Sequence, residues 1–315
     1  VSNPEVSIIV ISYNTRELTL DCIRSVFDQT KSVSFELIVL DNASSDGSAD
    51  AIANEFPDIR LIASQDNVGF ANGNNLAIEQ AMGDFVLLLN PDTVVLDHAI
   101  DNIVEFARSN PDAGVWGGRT LFGDRSLNPT SCWHRMTLWS LFCYVAGLSG
   151  IFPSSAVFNV EGYGGWKRDS AREIDIVTGC FLLIKRDLWN DLGGFDRRFF
   201  MYGEDADLCL RAKNRGARPM ITPEATIVHY GGQSEKVVAD KMIRLLTAKV
   251  TLMQQHWSPG AKVFGYILFY SLPLSKILTH WLYSTLLRRK DRKTNADTWK
   301  EIWSRRKVWL AGFDG

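Results

Sequence analysis

Three carboxylates fall within four positions at Glu204-Asp205-Ala206-Asp207, after the run Phe199-Phe200-Met201-Tyr202-Gly203 and before Leu208-Cys209-Leu210-Arg211. A carboxylate in such a place can take a proton from a hydroxyl nucleophile, or it can offset the positive end of a helix. A second acidic turn, Asn90-Pro91-Asp92, follows Leu87-Leu88-Leu89. It offers oxygen ligands of the type that suits Mg2+ or Mn2+, or it is a Pro-Asp turn closing a strand. His229 follows Thr226-Ile227-Val228 and precedes Tyr230-Gly231-Gly232-Gln233-Ser234. It can act as a metal ligand, as a donor to a diphosphate, or as a structural histidine.

Such side chains need a frame. Val6-Ser7-Ile8-Ile9-Val10-Ile11 is a continuous β-branched run, the pattern of a strand buried on both faces. Asn14 with Glu17 three residues later reads as a helix cap, followed by the apolar stripe Leu18, Cys22, Ile23, Val26 and Phe27. Residues 35–40, 59–63 and 85–89 repeat the strand pattern, with loop and helix-cap residues at 41–48 and a helix to about Glu55. Strands alternating with helices predict a Rossmann-like, doubly wound, mostly parallel α/β sheet.

Ligands of such sheets bind beyond the carboxyl ends of the strands. There the chain places Ser12-Tyr13-Asn14, Asp41-Asn42, Asp66-Asn67 and Asn90-Pro91-Asp92. No GxxxxGK[ST] occurs and no GxGxxG follows the first strand, which argues against a P-loop NTPase and a dinucleotide oxidoreductase. A diphosphate on this acidic rim calls for a divalent cation to bridge the charges.

Further on, residues 97–109 read as an amphipathic helix and 113–117 as a strand. Residues 136–155 carry no acidic or basic side chain and are broken by Gly147, Gly150 and Pro153, the pattern of a buried or membrane-dipping helical insert. Glu161-Gly162-Tyr163-Gly164-Gly165-Trp166-Lys167 is a lid that stacks on sugar, or an irregular loop. Residues 174–184 return to the sheet, with Thr178-Gly179 allowing close ligand approach at a bend. Residues 261–287 are apolar, interrupted by Pro273, Lys276 and His280, and lead into Arg288-Arg289-Lys290-Asp291-Arg292-Lys293. With Trp281, Trp299, Trp303 and Trp309, they read as two short helices joined at Pro273 in a membrane interface; the other reading is a helical hairpin packed on the core or on a homodimer partner.

The 315 residues are 46% hydrophobic and 22% charged, with a net charge of −2 that hides nine Lys/Arg against three Asp/Glu in residues 288–307. A basic C-terminal segment points to an anionic surface rather than to nucleic acid. The five cysteines lack metal-site or disulfide spacing, which fits a reducing compartment. The N-terminal apolar run is strand-sized and has no signal-peptide pattern. The expected location is cytoplasmic, peripheral on the inner face of the membrane.

Taken together, Ser12-Tyr13-Asn14, Asp41-Asn42-Ala43-Ser44-Ser45-Asp46-Gly47-Ser48, Asn67-Val68-Gly69-Phe70-Ala71-Asn72-Gly73-Asn74 and Leu88-Leu89-Asn90-Pro91-Asp92 resemble, in order and spacing, the family 2 inverting glycosyltransferases. The likeness covers roughly residues 5–235 and is greatest to the rhamnosyltransferase-like branch. It implies a GT-A fold over residues 1–240, with a nucleotide-binding half to about 118 and an acceptor half from 119, followed by an apolar and basic C-terminal helical segment at 241–315. By that resemblance Ser12, Tyr13, Asn14, Asp41, Asn67, Gly69, Phe70, Asn72, Asn90, Asp92, Thr178 and Gly179 line the nucleotide-sugar site. Asp92 is the metal-binding member of a DXD-like motif whose first acid is here Asn90, and His229 joins it. Asp205 is the general base, with Glu204 and Asp207 in support.

The implied reaction is metal-assisted, inverting transfer of a sugar, with dTDP-L-rhamnose as donor and a polyprenyl-diphosphate-linked glycan as acceptor, in cell-surface polysaccharide synthesis. UDP- or GDP-sugars are the alternative donors. A sugar nucleotidyltransferase would want a basic glycine-rich N-terminal loop that is absent here. A non-catalytic glycan-binding scaffold would show no sugar turnover.

Overall fold

The computed structural model describes residues 3–231, 238–287 and 291–313, with side chains described outside 280–296. Gly232-Gln233-Ser234 and Arg288-Arg289-Lys290 therefore lie outside the described residues, as do the side chains of His280, Trp281 and Asp291-Arg292-Lys293. By compactness the chain divides into one unit of Val1–His134 and Lys167–Ser234 and another of Arg135–Trp166 and Glu235–Gly315.

In the first unit the elements run β1 (Val6–Ser12), α1 (Arg16–Gln29), β2 (Phe35–Asp41), α2 (Ser48–Glu55), β3 (Arg60–Ala63), α3 (Gly69–Ile78), β4 (Phe85–Leu89), β5 (Thr93–Val95), α4 (Ala99–Ser109), β6 (Val115–Leu121), β7 (Phe181–Lys185) and β8 (Met220–His229). The helices Arg186–Leu192 and Glu204–Asn214 lie between β7 and β8. The main sheet is ordered β3-β2-β1-β4-β7-β6-β8-β5. β1 is parallel to β2 and β4, β2 to β3, and β6 to β8, while β7 runs antiparallel between β4 and β6. This is the expected mostly parallel α/β sheet. The β-branched run of β1 became an inner strand because both of its faces are covered: Val6, Ile8, Ile9 and Val10 are wholly buried.

Three local readings are corrected. The side chain of Asn14 does not cap α1, which begins at Arg16. Asn14 adopts a left-handed φ of 52°, and its Oδ1 accepts the Ser45 N–H at 2.8 Å, so a partner in the next loop takes the oxygen that a cap would use. Residues 174–184 do not all return to the main sheet. Ile176–Val177 pairs with Cys132–Trp133 in a separate small sheet, and Phe181–Lys185 enters the main one after the bend at Thr178-Gly179. Residues 218–221 and 226–228 read in sequence as two short strands, but Met220–His229 form the single strand β8, with a register shift between Thr222 and Thr226.

The second unit is helical. Helices Leu138–Val145, Val238–His256, Pro259–Leu287, Asp291–Ser304 and Arg306–Ala311 surround a core that includes Leu141, Ile243, Val250, Met253, Phe269, Leu272, Ile302 and Trp309. The expected break at Pro273 does not occur; the helix runs through it. An interior proline costs about 3 kcal/mol, and the flanking Phe269 and Leu272 are wholly buried, so packing outweighs the local penalty. Ser275 Oγ also lies within hydrogen-bond distance of Leu272 O and Val145 O, tying this turn to the first helix of the unit.

Candidate active site

The ends of β1 and β2 stand side by side, with Ser12 opposite Asp41. Ser44 Oγ accepts the Asn14 N–H at 2.9 Å, and Asp41 Oδ2 accepts the Ser44 N–H at 3.0 Å. Asp41 Oδ1 is buried without a hydrogen-bond partner, a free acceptor at the strand end. Tyr13 stands half-exposed on this rim, whereas Ser12 is buried and shares a hydrogen bond with Thr19 at 3.1 Å. Asn42 clasps the next loop. Its Oδ1 accepts the Val68 N–H at 2.9 Å, and its Nδ2 donates to Asn67 Oδ1 at 3.0 Å.

Gly69 follows this clasp with a φ of +81°, and a Cβ there would sit 2.6 Å from Phe200 O. Only glycine allows that approach without strain. The Phe70 N–H donates to the same carbonyl at 2.9 Å, and Asn75 accepts from the Phe195 N–H and donates to the Phe195 carbonyl, each at 2.9 Å. The start of α3 is thereby locked to the segment that leads into the acidic stretch. Asn72 bonds back to Val68 O at 3.3 Å, within its own helix.

Tyr202 and Gly203, both left-handed, turn the chain into helix Glu204–Asn214. Asp205 Oδ2 accepts the Gly179 N–H at 2.9 Å and its Oδ1 accepts the Ala206 N–H at 2.7 Å. Burial raises the Asp205 pKa, and these N–H groups partly oppose the rise. Glu204 is buried, with Oε2 lacking a partner; burial, reinforced by the charge of Asp205, pushes it up to about 8. Asp207 does different work. Its Oδ2 accepts from Arg211 Nε at 2.7 Å, and the same guanidinium donates to Leu192 O at 2.8 Å and Gly194 O at 2.9 Å. It anchors the helix to the preceding glycine turn.

At the end of β4, Asn90 Nδ2 and His229 Nε2 are 3.3 Å apart, and His229 Nε2 is 3.3 Å from Asp92 Oδ1. The Tyr230 N–H donates to Asp92 O at 3.0 Å, which fixes β8 beside the acidic turn. Asn90 Oδ1 and His229 Nδ1 are buried without hydrogen-bond partners. Burial works against the imidazolium, but Cys180 and Asp92 beside it outweigh burial and raise the His229 pKa to about 10. Among the described residues no three His, Cys, Asp or Glu side chains form a metal cage. The donor set here is one carboxylate, one amide oxygen and a histidine ring that must release a proton before it can ligate, which fits a divalent ion that completes its shell with ligand oxygens.

Thr178-Gly179-Cys180 joins the two groups of residues. Thr178 is held by Thr130 O at 2.5 Å and Ser131 O at 3.2 Å, Gly179 binds Asp205, and Cys180 O accepts the Asn90 N–H at 3.1 Å. Asn75, Phe200 and Cys180 were not singled out in the sequence as site residues, and Asn42 was named only as part of the rim.

A family model described as glycosyl transferase family 2 matches residues 7–189, more than half of the chain. The chain belongs to that family. Relatives of this glycosyl transferase family 2 chain include the N-acetylglucosaminyl-diphospho-decaprenol L-rhamnosyltransferase of Mycobacterium tuberculosis, 27% identical over 63% of this chain and 67% of that protein. Rhamnosyltransferase WbbL of Escherichia coli is 27% identical over 56% of this chain and 66% of WbbL. The O-antigen biosynthesis protein RfbC of Myxococcus xanthus is 27% identical over 75% of this chain, which spans only 18% of that longer protein. The mannosyltransferase PcManGT from Pyrobaculum calidifontis, solved in complex with GDP-Man and Mn2+, has the same fold: TM-score 0.59 at 17% identity, covering 98% of this chain and 87% of that one. The GT-A architecture and the rhamnosyltransferase-like branch expected from the motifs agree with these likenesses.

Proposed function

We propose that this family 2 chain transfers a sugar with inversion from a nucleotide diphosphate sugar to an acceptor hydroxyl. The observation that carries the reading is the double role of Gly179-Cys180, whose N–H holds the Asp205 carboxylate and whose carbonyl holds Asn90 beside Asp92 and His229. In this reading a proton acceptor and a cation-binding set hang on one dipeptide.

Asp205 takes the acceptor proton as the acceptor oxygen bonds to the anomeric carbon, and the bond from that carbon to the diphosphate breaks on the opposite face with its electron pair. Burial makes Asp205 a stronger base than an exposed carboxylate, and base assistance of this kind contributes about 10²–10⁴ in rate. Glu204, neutral at pH 7, keeps a second charge away from the acceptor side, while Asp207 holds the helix in place through Arg211. Tyr13, Asn14, Asp41 and Asn67 receive the nucleotide, and Gly69 and Phe70 close the loop beneath the sugar. Asp92, His229 and Asn90 would hold Mg2+ or Mn2+, which when bound neutralises charge on the leaving diphosphate.

The donor in this reading is dTDP-L-rhamnose and the acceptor a lipid-linked glycan of a surface polysaccharide, supported by likeness to the mycobacterial and WbbL rhamnosyltransferases. The sheet-bearing unit carries the transfer chemistry and the helical unit meets the membrane interface. Exposed Val263, Ile267, Tyr270, Leu274 and Leu278 recur at helical spacing along Pro259–Leu287, which supports that contact. Donor turnover over a panel of dTDP-, UDP- and GDP-sugars tests the donor assignment. Preference for dTDP-L-rhamnose is expected; preference for a GDP- or UDP-sugar overturns it, and absence of any sugar turnover overturns the reaction.

A further inference from the structure

A carbon surface stands beside the proposed base. A Cβ added to Gly179 would have Phe70 Cε1 at 3.5 Å, Asp205 Cβ at 3.6 Å and Phe70 Cζ at 3.7 Å as its nearest neighbours, all ordinary van der Waals distances. Gly179 is also outside the left-handed region of φ. Unlike Gly69, it is demanded neither by its backbone nor by a clash with the rest of the chain. The missing side chain leaves room between the tip of the Phe70 ring and Asp205. Phe70, Thr178 and Asp205 each keep part of their surface open to solvent, so this notch lies at the edge of the site.

The polar groups around the ring are already engaged with one another. The Phe70 N–H donates to Phe200 O and the Phe70 carbonyl accepts from Asn74 Nδ2, each at 2.9 Å. Thr178 Oγ1 donates to Thr130 O at 2.5 Å, the Thr178 carbonyl accepts the Phe181 N–H at 3.3 Å, and the Gly179 N–H is held by Asp205. A sugar hydroxyl brought against the ring would give up water for carbon, which is unfavourable; a methyl group in the same place would lose nothing and bury apolar surface.

Nor can the ring swing aside freely. Its centroid lies 6.2 Å from that of Phe195, which is buried and clasped through both its N–H and its carbonyl by Asn75. The rim is otherwise polar, with Asn14, Asp41, Asn67 and Asp92 offering oxygens and amides. Phe70 is the place where a donor sugar must present carbon rather than oxygen.

We propose that Phe70, with the room left by Gly179, is the specificity-determining wall that selects a 6-deoxy sugar by meeting its methyl group. This rests on the reading of the proposed function in which Phe70 lies beneath the donor sugar, and it assigns the discrimination between a 6-methyl and a 6-hydroxymethyl group to one side chain.

Calorimetric binding of dTDP-L-rhamnose and of dTDP-L-mannose, which differs from it only by the 6-hydroxyl, tests the wall on the whole chain with Mn2+ present. Each dissociation constant is read relative to that of dTDP, so that a general loss of nucleotide affinity cancels. The wild type should favour the 6-deoxy sugar by about tenfold or more. Phe70→Gln should bring the two sugars within about threefold, the effect of giving the hydroxyl a partner, while Phe70→Leu keeps most of the preference. Gly179→Ala should melt at or above the wild-type temperature, as an unstrained alanine does, yet weaken dTDP-L-rhamnose relative to dTDP by about tenfold. Equal binding of the two sugars by the wild type overturns the proposal, as does full preference in Phe70→Gln, or wild-type affinity for dTDP-L-rhamnose in Gly179→Ala. Transfer from dTDP-L-rhamnose by a protein that binds dTDP-L-mannose equally well removes the wall alone. Preference for GDP-D-rhamnose over GDP-D-mannose in a protein that ignores dTDP-sugars keeps the wall and removes the dTDP donor alone.

Discussion

The Gly179 N–H donates to the Asp205 carboxylate at 2.9 Å across 26 positions of sequence. One oxygen of the proposed base is therefore fixed by the bend that precedes β7, and its orientation is set before any ligand arrives.

Asp205→Asn keeps the shape of this contact and removes the proton acceptor. We expect kcat to fall by about 10²–10⁴ while the nucleotide dissociation constant, measured by calorimetry, stays within a factor of about two. Near-wild-type turnover would rule out Asp205 as the base.

Glu204 makes stability depend on pH. In the unfolded chain it titrates at its ordinary 4.5 and in the fold near 8, so between these values the folded state holds the extra proton. Its contribution is fully present below 4.5 and is lost as pH rises through about 8. Glu204→Gln should therefore melt a few degrees above wild type at pH 8 and show little difference at pH 4, as followed by thermal denaturation.

Gly69→Ala puts a methyl group 2.6 Å from Phe200 O at a φ of +81°. A loss of about 1–3 kcal/mol in unfolding free energy is expected, with a raised KM for the donor because the Asn67 loop shifts. Denaturant titration and initial-rate kinetics read the two effects separately.

Asp207→Ala leaves the Arg211 guanidinium without its carboxylate, and Arg211 still holds two carbonyls of the preceding turn. We expect destabilisation of about 1–3 kcal/mol with residual kcat per folded molecule close to wild type. A selective loss of kcat in a fully folded protein would instead place Asp207 in the chemistry.

His229→Ala should raise the Mn2+ or Mg2+ concentration needed for half-maximal transfer by more than about tenfold, and EDTA should stop transfer by the wild type. Transfer indifferent to EDTA would remove the cation from the reaction.

The strands were legible because buried parallel strands are written as short runs of apolar residues, and β1, β2 and β4 lie where those runs lie. Asn14 was misread because Asn-x-x-Glu is a cap pattern locally, and nothing nearby shows that its oxygen belongs to Ser45, 31 positions on. The clasps made by Asn42 and Asn75 were silent for the same reason, their partners lying 26 and 120 positions away. Pro273 shows the opposite failure: a strong local rule lost to the burial of Phe269 and Leu272, which only the packed helices reveal. The acidic stretch was visible as a cluster, but composition could not separate the proposed base from the anchor. The division of labour between Asp205 and Asp207 depends on which one meets Gly179 and which one meets Arg211.

The insertion of β7 between β4 and β6 sets an order on synthesis. β1, β2, β3 and β4 emerge from the ribosome early and can pair at once, but the free edge of β4 waits for Phe181–Lys185, made only after the whole of Arg135–Trp166 has been added. Through that interval the nascent chain carries an apolar strand edge, Phe85–Leu89, open to mispairing with neighbouring chains.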